Sequence, residues 1–329
     1  MERRDFLKSG ALTTGLVSMM NLNLFADTEN PPVPTDKRPG FIPKRKYGKT
    51  DIMLSVIGLG GIVVMGHEQD QANRIVAQAY ERGVNYYDVA PSYGDTEAET
   101  KLGPALQPYR DKVFLACKTT QRSYVGAKAE FEASLKRLKT DHFDLYQLHA
   151  ITDVDKDVDA AFADDGVMKL LTEEKKNGRI RYLGFSAHSH AAALAAMNRF
   201  DFDSILFPVN FAGYLEGKFS PEVIEKARQK EMAILALKIL ARQQASQDDS
   251  IRQQYPKCWY QPITDPDEAT LAMAFTLSQP VTAAIPPGDV RLFRMALDLV
   301  TDMKPVTEQQ MQKLEAWAAE MNPIFSNKT

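Results

Sequence analysis

Four polar residues with complementary proton chemistry lie at or just beyond the ends of three short apolar runs. Asp88 ends the first run and Tyr93 follows it, Lys118 ends the second run, and His149 ends the third. A phenol has a reference pKa of roughly 10, so it gives up its proton reluctantly at neutral pH. A neighbouring ammonium favours the phenolate and makes that proton easier to transfer. We therefore expect the four side chains to form one proton-transfer site.

Each of the four residue types has a distinct role in such a site. Lys118 supplies the positive charge, Asp88 holds Lys118 in place, and the His149 imidazole hydrogen-bonds a substrate carbonyl. Tyr93 then acts as the general acid for carbonyl reduction, or as the base in the reverse reaction. Taken singly, a strand-end lysine, a tyrosine beside a glycine turn or a histidine on a strand is more often structural. The functional hypothesis depends on all four occurring together.

The elements that would position these residues alternate along the chain. Strand candidates are 55–59, 86–88, 113–118, 143–149, 182–186, 204–209, 233–237 and 281–285. Helix candidates are 70–82, 96–106, 125–138, 167–177, 190–199, 221–230, 265–277 and 290–300, with a further helix at 307–319. Eight strand–helix pairs predict the α/β class and a single (β/α)8 TIM barrel with an extra C-terminal helix, because a closed sheet leaves no strand edge unpaired. The carboxyl ends of barrel strands share one mouth, where the four polar residues would converge.

The N-terminal segment predicts export. Arg3 and Arg4 precede an apolar, small-residue stretch, which is typical of a twin-arginine signal peptide over 1–26. The proline-rich segment 27–45 is typical of a linker, so the barrel domain is expected over 46–329. The expected partner is the twin-arginine export machinery, and the expected location is the periplasm. Because a leucine stands where a small residue usually precedes the cleavage site, a membrane-tethered form and an ordinary basic N-terminus stay open as alternatives.

The composition excludes several function classes. The chain has 329 residues, of which 44% are hydrophobic and 25% charged, and a formal net charge of −3. No concentrated basic segment suggests nucleic acid, and no segment after the signal is apolar for long enough to span a membrane. Two cysteines and five histidines, none in a ligand-spaced cluster, give no metal signature. Cys117 is expected to be buried and reduced, although an oxidising periplasm would permit a pair with Cys258.

Six short motifs occur in the order typical of one enzyme family. They are Tyr-Gly-Lys-Thr at 47–50, Ile-Gly-Leu-Gly-Gly at 57–61, Glu-Thr-Lys-Leu-Gly at 99–103, Ser-Leu-Lys-Arg-Leu-Lys-Thr-Asp at 134–141, Gly-Arg-Ile-Arg-Tyr-Leu-Gly-Phe-Ser at 178–186 and Ile-Pro-Pro-Gly at 285–288. With these motifs and the four polar residues, the chain resembles the aldo-keto reductase family from Lys46 to about Val300. The resemblance implies an oxidoreductase that moves hydride between NADP or NAD and a small-molecule carbonyl or alcohol, with the four polar residues as its catalytic tetrad. No cysteine follows Cys258, so the iron–sulfur tail of some relatives is not expected.

The resemblance also implies that the cofactor lies extended across the barrel mouth, after strands five to eight. The candidate cofactor contacts are Ser186 for the carboxamide, Lys238 for the pyrophosphate, Arg291 and Arg294 for a 2′-phosphate, together with Asn210 and Gly288. A helix N-terminus after Gly288 would attract phosphate, and arginine favours the 2′-phosphate, so NADP is slightly preferred over NAD. Lys238 is equally compatible with a lysine whose tip simply extends to solvent.

Two positions depart from the family pattern. Ala187 stands where an asparagine, and Leu206 where a glutamine, usually binds the cofactor amide. These departures favour one alternative, an aldo-keto reductase-like binding or regulatory protein that is poor in cofactor contacts. A sugar-modifying enzyme with a tightly held cofactor and no net redox change stays open as a further alternative.

One long connection is expected to shape the entrance to the site. The segment 241–262 shows no clear periodicity and follows the seventh strand candidate, so it would lie at the mouth of the barrel. Loops at such a mouth commonly contact the substrate. Trp259 and Tyr260 are therefore candidate contacts for a sugar or another ring.

Overall fold

The computed structural model of the protein describes residues 40–246 and 250–327. The predicted signal peptide at 1–26 and the predicted linker as far as residue 39 lie outside the described residues. Within the described part, none of the helices has the length and apolar character that crossing a bilayer requires.

Eight of the strands in the described residues form the barrel. In chain order the strands are β1 (Lys44–Lys46), β2 (Met53–Ser55), β3 (Leu59–Gly60), β4 (Tyr86–Asp88), β5 (Phe114–Thr119), β6 (Phe143–Ile151), β7 (Ile180–Ala187), β8 (Ser204–Pro208), β9 (Ala233–Leu237), β10 (Ala241–Gln244), β11 (Tyr260–Pro262) and β12 (Ala283–Ile285). Strands β3 to β9 and β12 run parallel in one eight-stranded sheet. A parallel bridge between Ile57 and Ala284 brings its two edges together, and the Gly58 N–H donates to the Ala284 carbonyl at 2.9 Å. The predicted (β/α)8 barrel is confirmed.

The helices cover the outside of the barrel and extend beyond it. They are α1 (Gln69–Glu81), α2 (Glu97–Leu106), α3 (Tyr124–Leu138), α4 (Val167–Lys176), α5 (His190–Arg199), α6 (Phe211–Leu215), α7 (Pro221–Gln229), α8 (Ser250–Gln254), α9 (Pro266–Ser278), α10 (Val290–Val300) and α11 (Glu308–Ala319). Since helices cover the parallel strands, apolar side chains are buried on both faces of the sheet. Helix α11 is the predicted extra C-terminal helix, and Thr307 and Gln310 form a capping box at its start.

A short antiparallel hairpin of β1 and β2 closes the amino-terminal end of the barrel. Between these strands the fully buried Tyr47 places its ring 5.0 Å from that of Phe114 inside the barrel. The buried Arg45 guanidinium donates to the carbonyls of Val281 at 2.6 Å and Leu277 at 2.7 Å. The first strand of this hairpin begins at Lys44, so regular structure starts within the last residues of the predicted linker.

The segment 241–262 contains more regular structure than its sequence predicts. Strands β10 and β11 pair in antiparallel orientation, and α8 lies between them along the chain. Strands of four and three residues are too short to show a period-two pattern, so sequence periodicity does not reveal them. The small sheet places Trp259 and Tyr260 beside the barrel mouth, where both line the cavity described next.

Candidate active site

A cavity of about 290 Å³ opens at the carboxyl ends of the barrel strands. Asp88 at the end of β4, Tyr93 in the following turn and His149 near the end of β6 all line it. The closed sheet explains this convergence, because parallel strands in a barrel direct their carboxyl ends to one mouth. The structure thus brings together residues that are up to 61 positions apart along the chain, Asp88 and His149 being the extremes.

Lys118 connects Asp88 and Tyr93. Its fully buried ammonium forms an ion pair with the Asp88 carboxylate and lies 3.3 Å from the Tyr93 hydroxyl. It also donates to the Val89 carbonyl at 3.2 Å. Burial alone would lower the pKa of Lys118, but the Asp88 carboxylate and Tyr93 raise it above its ordinary value. Lys118 is therefore a fixed positive charge beside the Tyr93 oxygen.

The Asp88 carboxylate is itself held by neighbouring donors. Tyr86 Oη and Gln147 Nε2 each donate to Asp88 Oδ2 at 3.2 Å, while Oδ1 faces Lys118. Buried charges persist only when they are paired and hydrogen-bonded, and this carboxylate satisfies both conditions. Asp88 therefore fixes the position of Lys118 as well as balancing its charge.

The ionisation of Tyr93 differs in direction from the expectation based on Lys118 alone. Removal of the phenol from water raises the Tyr93 pKa, and this effect exceeds the opposing influence of the Lys118 ammonium. The net pKa of Tyr93 therefore lies above its ordinary value. The phenol accordingly keeps its proton at neutral pH, which is the state required of a general acid.

His149 is presented to the cavity by an irregular end of β6. The pairing of β6 with β7 shifts register between Leu148 and Ile151, and Ala150 adopts a left-handed φ of 52°. The Ala150 N–H donates to Ser186 Oγ at 2.7 Å, and Arg122 Nη2 donates to the His149 carbonyl at 2.7 Å. These two hydrogen bonds fix the bulge on which the imidazole stands.

The imidazole of His149 is held in its neutral form. Its Nδ1 lies 3.2 Å from the hydroxyl of Ser92, and its ring meets that of Tyr93 edge to face at 5.5 Å between centroids. Burial, reinforced by the nearby Lys118 charge, lowers the pKa of His149 to about 2. A neutral imidazole can donate one hydrogen bond to a carbonyl without competing for a proton.

The depressed pKa of His149 predicts a measurable effect on acid stability. In the unfolded chain the imidazole takes up a proton below about pH 6.5, whereas the folded protein keeps it neutral to pH about 2. Between those values the unfolded state binds more protons, so folding stability falls as the pH falls, by at most about 1.4 kcal/mol per pH unit from this group. A His149→Gln variant should therefore lose less stability than wild type between pH 7 and pH 4.

Urea unfolding at both pH values measures this difference. His67, which lies outside the cavity and is only partly buried, provides the control variant His67→Gln. We expect His67→Gln to lose as much folding stability as wild type between the two pH values. If His149→Gln also loses as much as wild type, His149 does not resist protonation in the folded protein.

Three of the six predicted cofactor residues line the cavity, and three do not. Ser186, Lys238 and Gly288 belong to its wall. Asn210 instead caps α6, where its side chain accepts from the Gly213 N–H at 2.8 Å. Its amide oxygen is therefore engaged in the helix cap at the position where the sequence suggested a cofactor contact.

The two predicted arginines are engaged away from the cavity wall. Arg291 pairs with Asp289 at 2.8 Å and donates to the Gln254 carbonyl at 2.7 Å. Arg294 donates to Gln78 Oε1 on α1 at 2.9 Å. Asp289 also caps the start of α10, so a carboxylate already occupies the helix N-terminus at which a phosphate was expected.

Two ionisable side chains of the cavity wall, those of His188 and Lys257, were not predicted from the sequence. His188 follows β7, and its ring stacks on Phe325 with 5.3 Å between centroids. The position of His188 just beyond a strand end is the same signal that identified the tetrad. Lys257 has no such signal, because it lies in the irregular stretch between α8 and β11.

Lys257 fastens the small sheet of β10 and β11 across the mouth. Its ammonium donates to the carbonyls of Ile62 at 3.1 Å, Val63 at 3.3 Å and Met65 at 2.6 Å. These carbonyls belong to the turn that follows β3, and Ile62 of this turn also lines the cavity. Lys257 therefore ties the segment before β11 to the turn after β3 at the rim of the cavity.

The residues that the structure describes contain no group of three His, Cys, Asp or Glu side chains placed to hold a metal ion. Cys117 and Cys258 are both buried free thiols. Burial raises the pKa of the Cys258 thiol to about 11, and burial also raises that of Cys117. Both thiols are therefore protonated at neutral pH and poor nucleophiles.

A family model described as the Aldo/keto reductase family matches residues 56–286. The uncharacterized oxidoreductase YqkF of Bacillus subtilis is 35% identical over 156 residues, which cover 44% of this chain and 48% of YqkF. Methylglyoxal reductase YeaE of Escherichia coli is 34% identical over 146 residues, covering 43% of this chain and 48% of YeaE. The chain thus spans about half the length of these curated relatives.

Similarity to solved structures extends over more of the chain. The holo form of aldo-keto reductase AKR11C1 from Bacillus halodurans superposes with a TM-score of 0.67 at 22% identity, covering 87% of this chain and 99% of that structure. A second structure, a Pseudomonas aeruginosa protein described as a putative aldo-keto reductase, gives a TM-score of 0.60 at 24% identity, covering 79% of this chain and 94% of its own. At these identities the likeness establishes the barrel fold.

Proposed function

The chain belongs to the aldo/keto reductase family, and from that premise we propose that it reduces the carbonyl group of a small molecule to an alcohol, or catalyses the reverse reaction. The observation that carries the proposal is the Tyr93 hydroxyl, 3.3 Å from an ammonium that is ion-paired with Asp88. His149 faces the same cavity. A proton donor, a charge that stabilises its conjugate base and a hydrogen-bond donor for the carbonyl are thus available at one point.

The roles of the four residues follow from their contacts. If the Ser92 hydroxyl donates to His149 Nδ1, the neutral imidazole carries its proton on Nε2, which is free to donate to a substrate carbonyl oxygen. That hydrogen bond polarises the carbonyl and orients it towards Tyr93. As negative charge develops on the oxygen, Tyr93 transfers its proton, and Lys118 stabilises the phenolate that remains. Asp88 keeps the Lys118 ammonium in place throughout.

The proposed cofactor is NADP or NAD, which supplies or accepts the hydride when bound. The described residues provide part of a site for it. Ser186 Oγ accepts from the Ala150 N–H and keeps its own proton available for donation. Gly288 packs so tightly that an added Cβ would lie 2.2 Å from Ile62 Cγ2, so the wall there is backbone. Arg291, the predicted contact for a 2′-phosphate, is already engaged with Asp289.

Export through the twin-arginine pathway completes the proposal. That pathway carries folded proteins, so a cofactor bound in the cytoplasm would travel with the barrel into the periplasm. We expect slow cofactor release and a ping-pong cycle in which one substrate reduces the bound nucleotide and another oxidises it.

Identification of the bound nucleotide tests the proposal directly. The protein is purified from the periplasm of its own host and denatured, and the released small molecules are identified by mass spectrometry. We expect nearly one equivalent of NADP or NAD per chain, and a change in absorbance at the nicotinamide wavelength when an aldehyde is added to the reduced protein. An empty protein that also fails to bind added NADPH and NADH would refute the oxidoreductase proposal.

A second candidate function is favoured by one observation. Ala187 at the end of β7 and Leu206 in β8 are buried apolar residues without the amide groups that commonly bind the nicotinamide in this family. Their presence would suit a protein that keeps the barrel but binds ligands without redox chemistry.

A sugar-modifying enzyme that holds its cofactor is a further alternative. Substrate turnover without any net change in nicotinamide absorbance would indicate that function.

A further inference from the structure

The mouth cavity contains a cationic group that the proton-transfer site does not use. Lys238 follows β9, and its ammonium lies 5.1 Å from the ring centroid of Trp259 and 4.9 Å from that of Tyr260. Among the described residues, no carboxylate pairs with this ammonium and no oxygen accepts a hydrogen bond from it. Aromatic faces attract a cation, but they do not neutralise its charge.

The local environment of Lys238 is unfavourable to an isolated charge. Burial lowers the pKa of Lys238 to about 8, so desolvation of the ammonium is only partly offset. The backbone at Lys238 has a left-handed φ of 67°, which is uncommon for a residue with a Cβ, and the Ala241 N–H bonds to its carbonyl at 2.8 Å. Strained conformations of this kind are found disproportionately at functional sites.

A second unsatisfied group faces the same cavity. His188 Nε2 is buried and has no hydrogen-bond partner, although the other face of its ring is supported by Phe325. His188 and Lys238 line the same cavity, and burial, followed by the positive charge of Lys238, lowers the pKa of His188 to about 4. A ligand oxygen in this cavity would give both groups a hydrogen-bond partner.

The charges that line the cavity do not cancel. Among the described residues that line the cavity, Asp88 is the one carboxylate, and Lys118 already neutralises it. Lys257 is held by three backbone carbonyls, which carry only partial negative charge. The cavity is therefore net positive beside Lys238, and a concave site with charge of one sign attracts ligands of the opposite sign.

We infer that Lys238 and His188 bind a carboxylate of the carbonyl substrate, which makes the substrate a small oxo acid or aldehyde acid. This inference rests on the proposed function, because Tyr93 and His149 must receive the carbonyl end of the same molecule. Both ends of such a substrate face one cavity of about 290 Å³. The same ammonium could receive a phosphate of the dinucleotide, and the experiment below separates these two sources of negative charge.

Two probes that differ in charge at one end test the inference. They are 4-carboxybenzaldehyde and its uncharged methyl ester, methyl 4-formylbenzoate, and their binding to the holoprotein is measured by calorimetry. We expect wild type to bind the acid about 10- to 100-fold more tightly than the ester, because a hydrogen bond to a charged group is worth that much in affinity. Lys238→Met should abolish the preference, and Lys238→Arg should retain most of it.

The controls distinguish the possible outcomes. Lys313→Met removes an ammonium that lies 5.7 Å from the Trp317 ring on α11, away from the mouth, and should leave the preference intact. Calorimetry with NADP should give equal affinities for wild type and Lys238→Met. The absence of any acid preference in wild type, or its survival in Lys238→Met, would overturn the inference. Weaker NADP binding in Lys238→Met with the acid preference unchanged would also overturn it, and would assign Lys238 to a cofactor phosphate.

The proposed function is judged separately in the same series. NADPH-dependent reduction of the methyl ester does not require Lys238, so it reports on the tetrad alone. Ester reduction without an acid preference would refute the inference while supporting the proposed function. An acid preference in binding without any reduction of either probe would assign Lys238 to a carboxylate ligand, but it would refute the proposed function and, with it, the identification of that ligand as the carbonyl substrate.

Discussion

Replacement of Tyr93 by phenylalanine is expected to lower kcat for carbonyl reduction by about 100- to 10,000-fold, which is the usual contribution of a positioned general acid. Phenylalanine keeps the ring that meets His149 edge to face, so the loss would come from the missing hydroxyl. The Tyr93 hydroxyl lies 3.3 Å from the Lys118 ammonium, which would stabilise the phenolate formed when the proton leaves. His149 is neutral because its pKa is lowered to about 2, so it does not replace Tyr93 as the acid. Steady-state kinetics with NADPH and an aldehyde measure the effect.

The control for Tyr93→Phe is a tyrosine of similar exposure with no place in the site. Tyr109 stacks on Tyr80 outside the barrel, with 4.2 Å between ring centroids, so Tyr109→Phe should keep full activity. Thermal unfolding of both variants excludes a loss of fold as the cause. Retention of wild-type kcat by Tyr93→Phe would favour the binding or regulatory function instead.

The four residues at the strand ends could be predicted because their convergence depends on topology. Once eight strand–helix pairs predict a closed barrel, any polar residue at the carboxyl end of a strand is directed to the common mouth. This reasoning does not require side-chain conformations, and it brought Asp88, Lys118 and His149 together. The same rule applied to His188, two residues beyond Ser186, would have found it as well.

The predicted cofactor contacts depend on local side-chain competition, which the sequence alone does not reveal. Asn210 caps a five-residue helix that shows no periodicity, and Arg291 pairs with an aspartate only two residues before it. Neighbouring polar groups engage such side chains before a distant ligand can. Similarly, β10 and β11 form through pairing with each other, which a sequence pattern of three or four residues does not specify.

The second large effect expected is on stability. A Lys118→Met variant should lose activity and also about 3–5 kcal/mol of unfolding free energy, because it leaves Asp88 buried without its counter-ion. The two remaining donors to Asp88, Tyr86 and Gln147, supply hydrogen bonds but no positive charge. Urea unfolding measures the loss. The surface pair of Lys230 and Asp201 gives the control, and Lys230→Met should cost far less than Lys118→Met because the Asp201 side chain is 91% exposed.

A double variant separates the energetic from the chemical role of the Lys118–Asp88 pair. Lys118→Met combined with Asp88→Asn removes both charges, so no buried charge is left unpaired, and replacement of buried ion pairs by neutral groups is often close to neutral for stability. We expect the double variant to regain most of the stability lost in Lys118→Met while remaining inactive, because Tyr93 then has no ammonium to stabilise its phenolate. A double variant as unstable as the single one would mean that Lys118 stabilises the barrel through packing. If the double variant is nearly as stable as wild type but inactive, the fold does not require the Lys118–Asp88 ion pair. The ion pair would then be retained for its role in proton transfer.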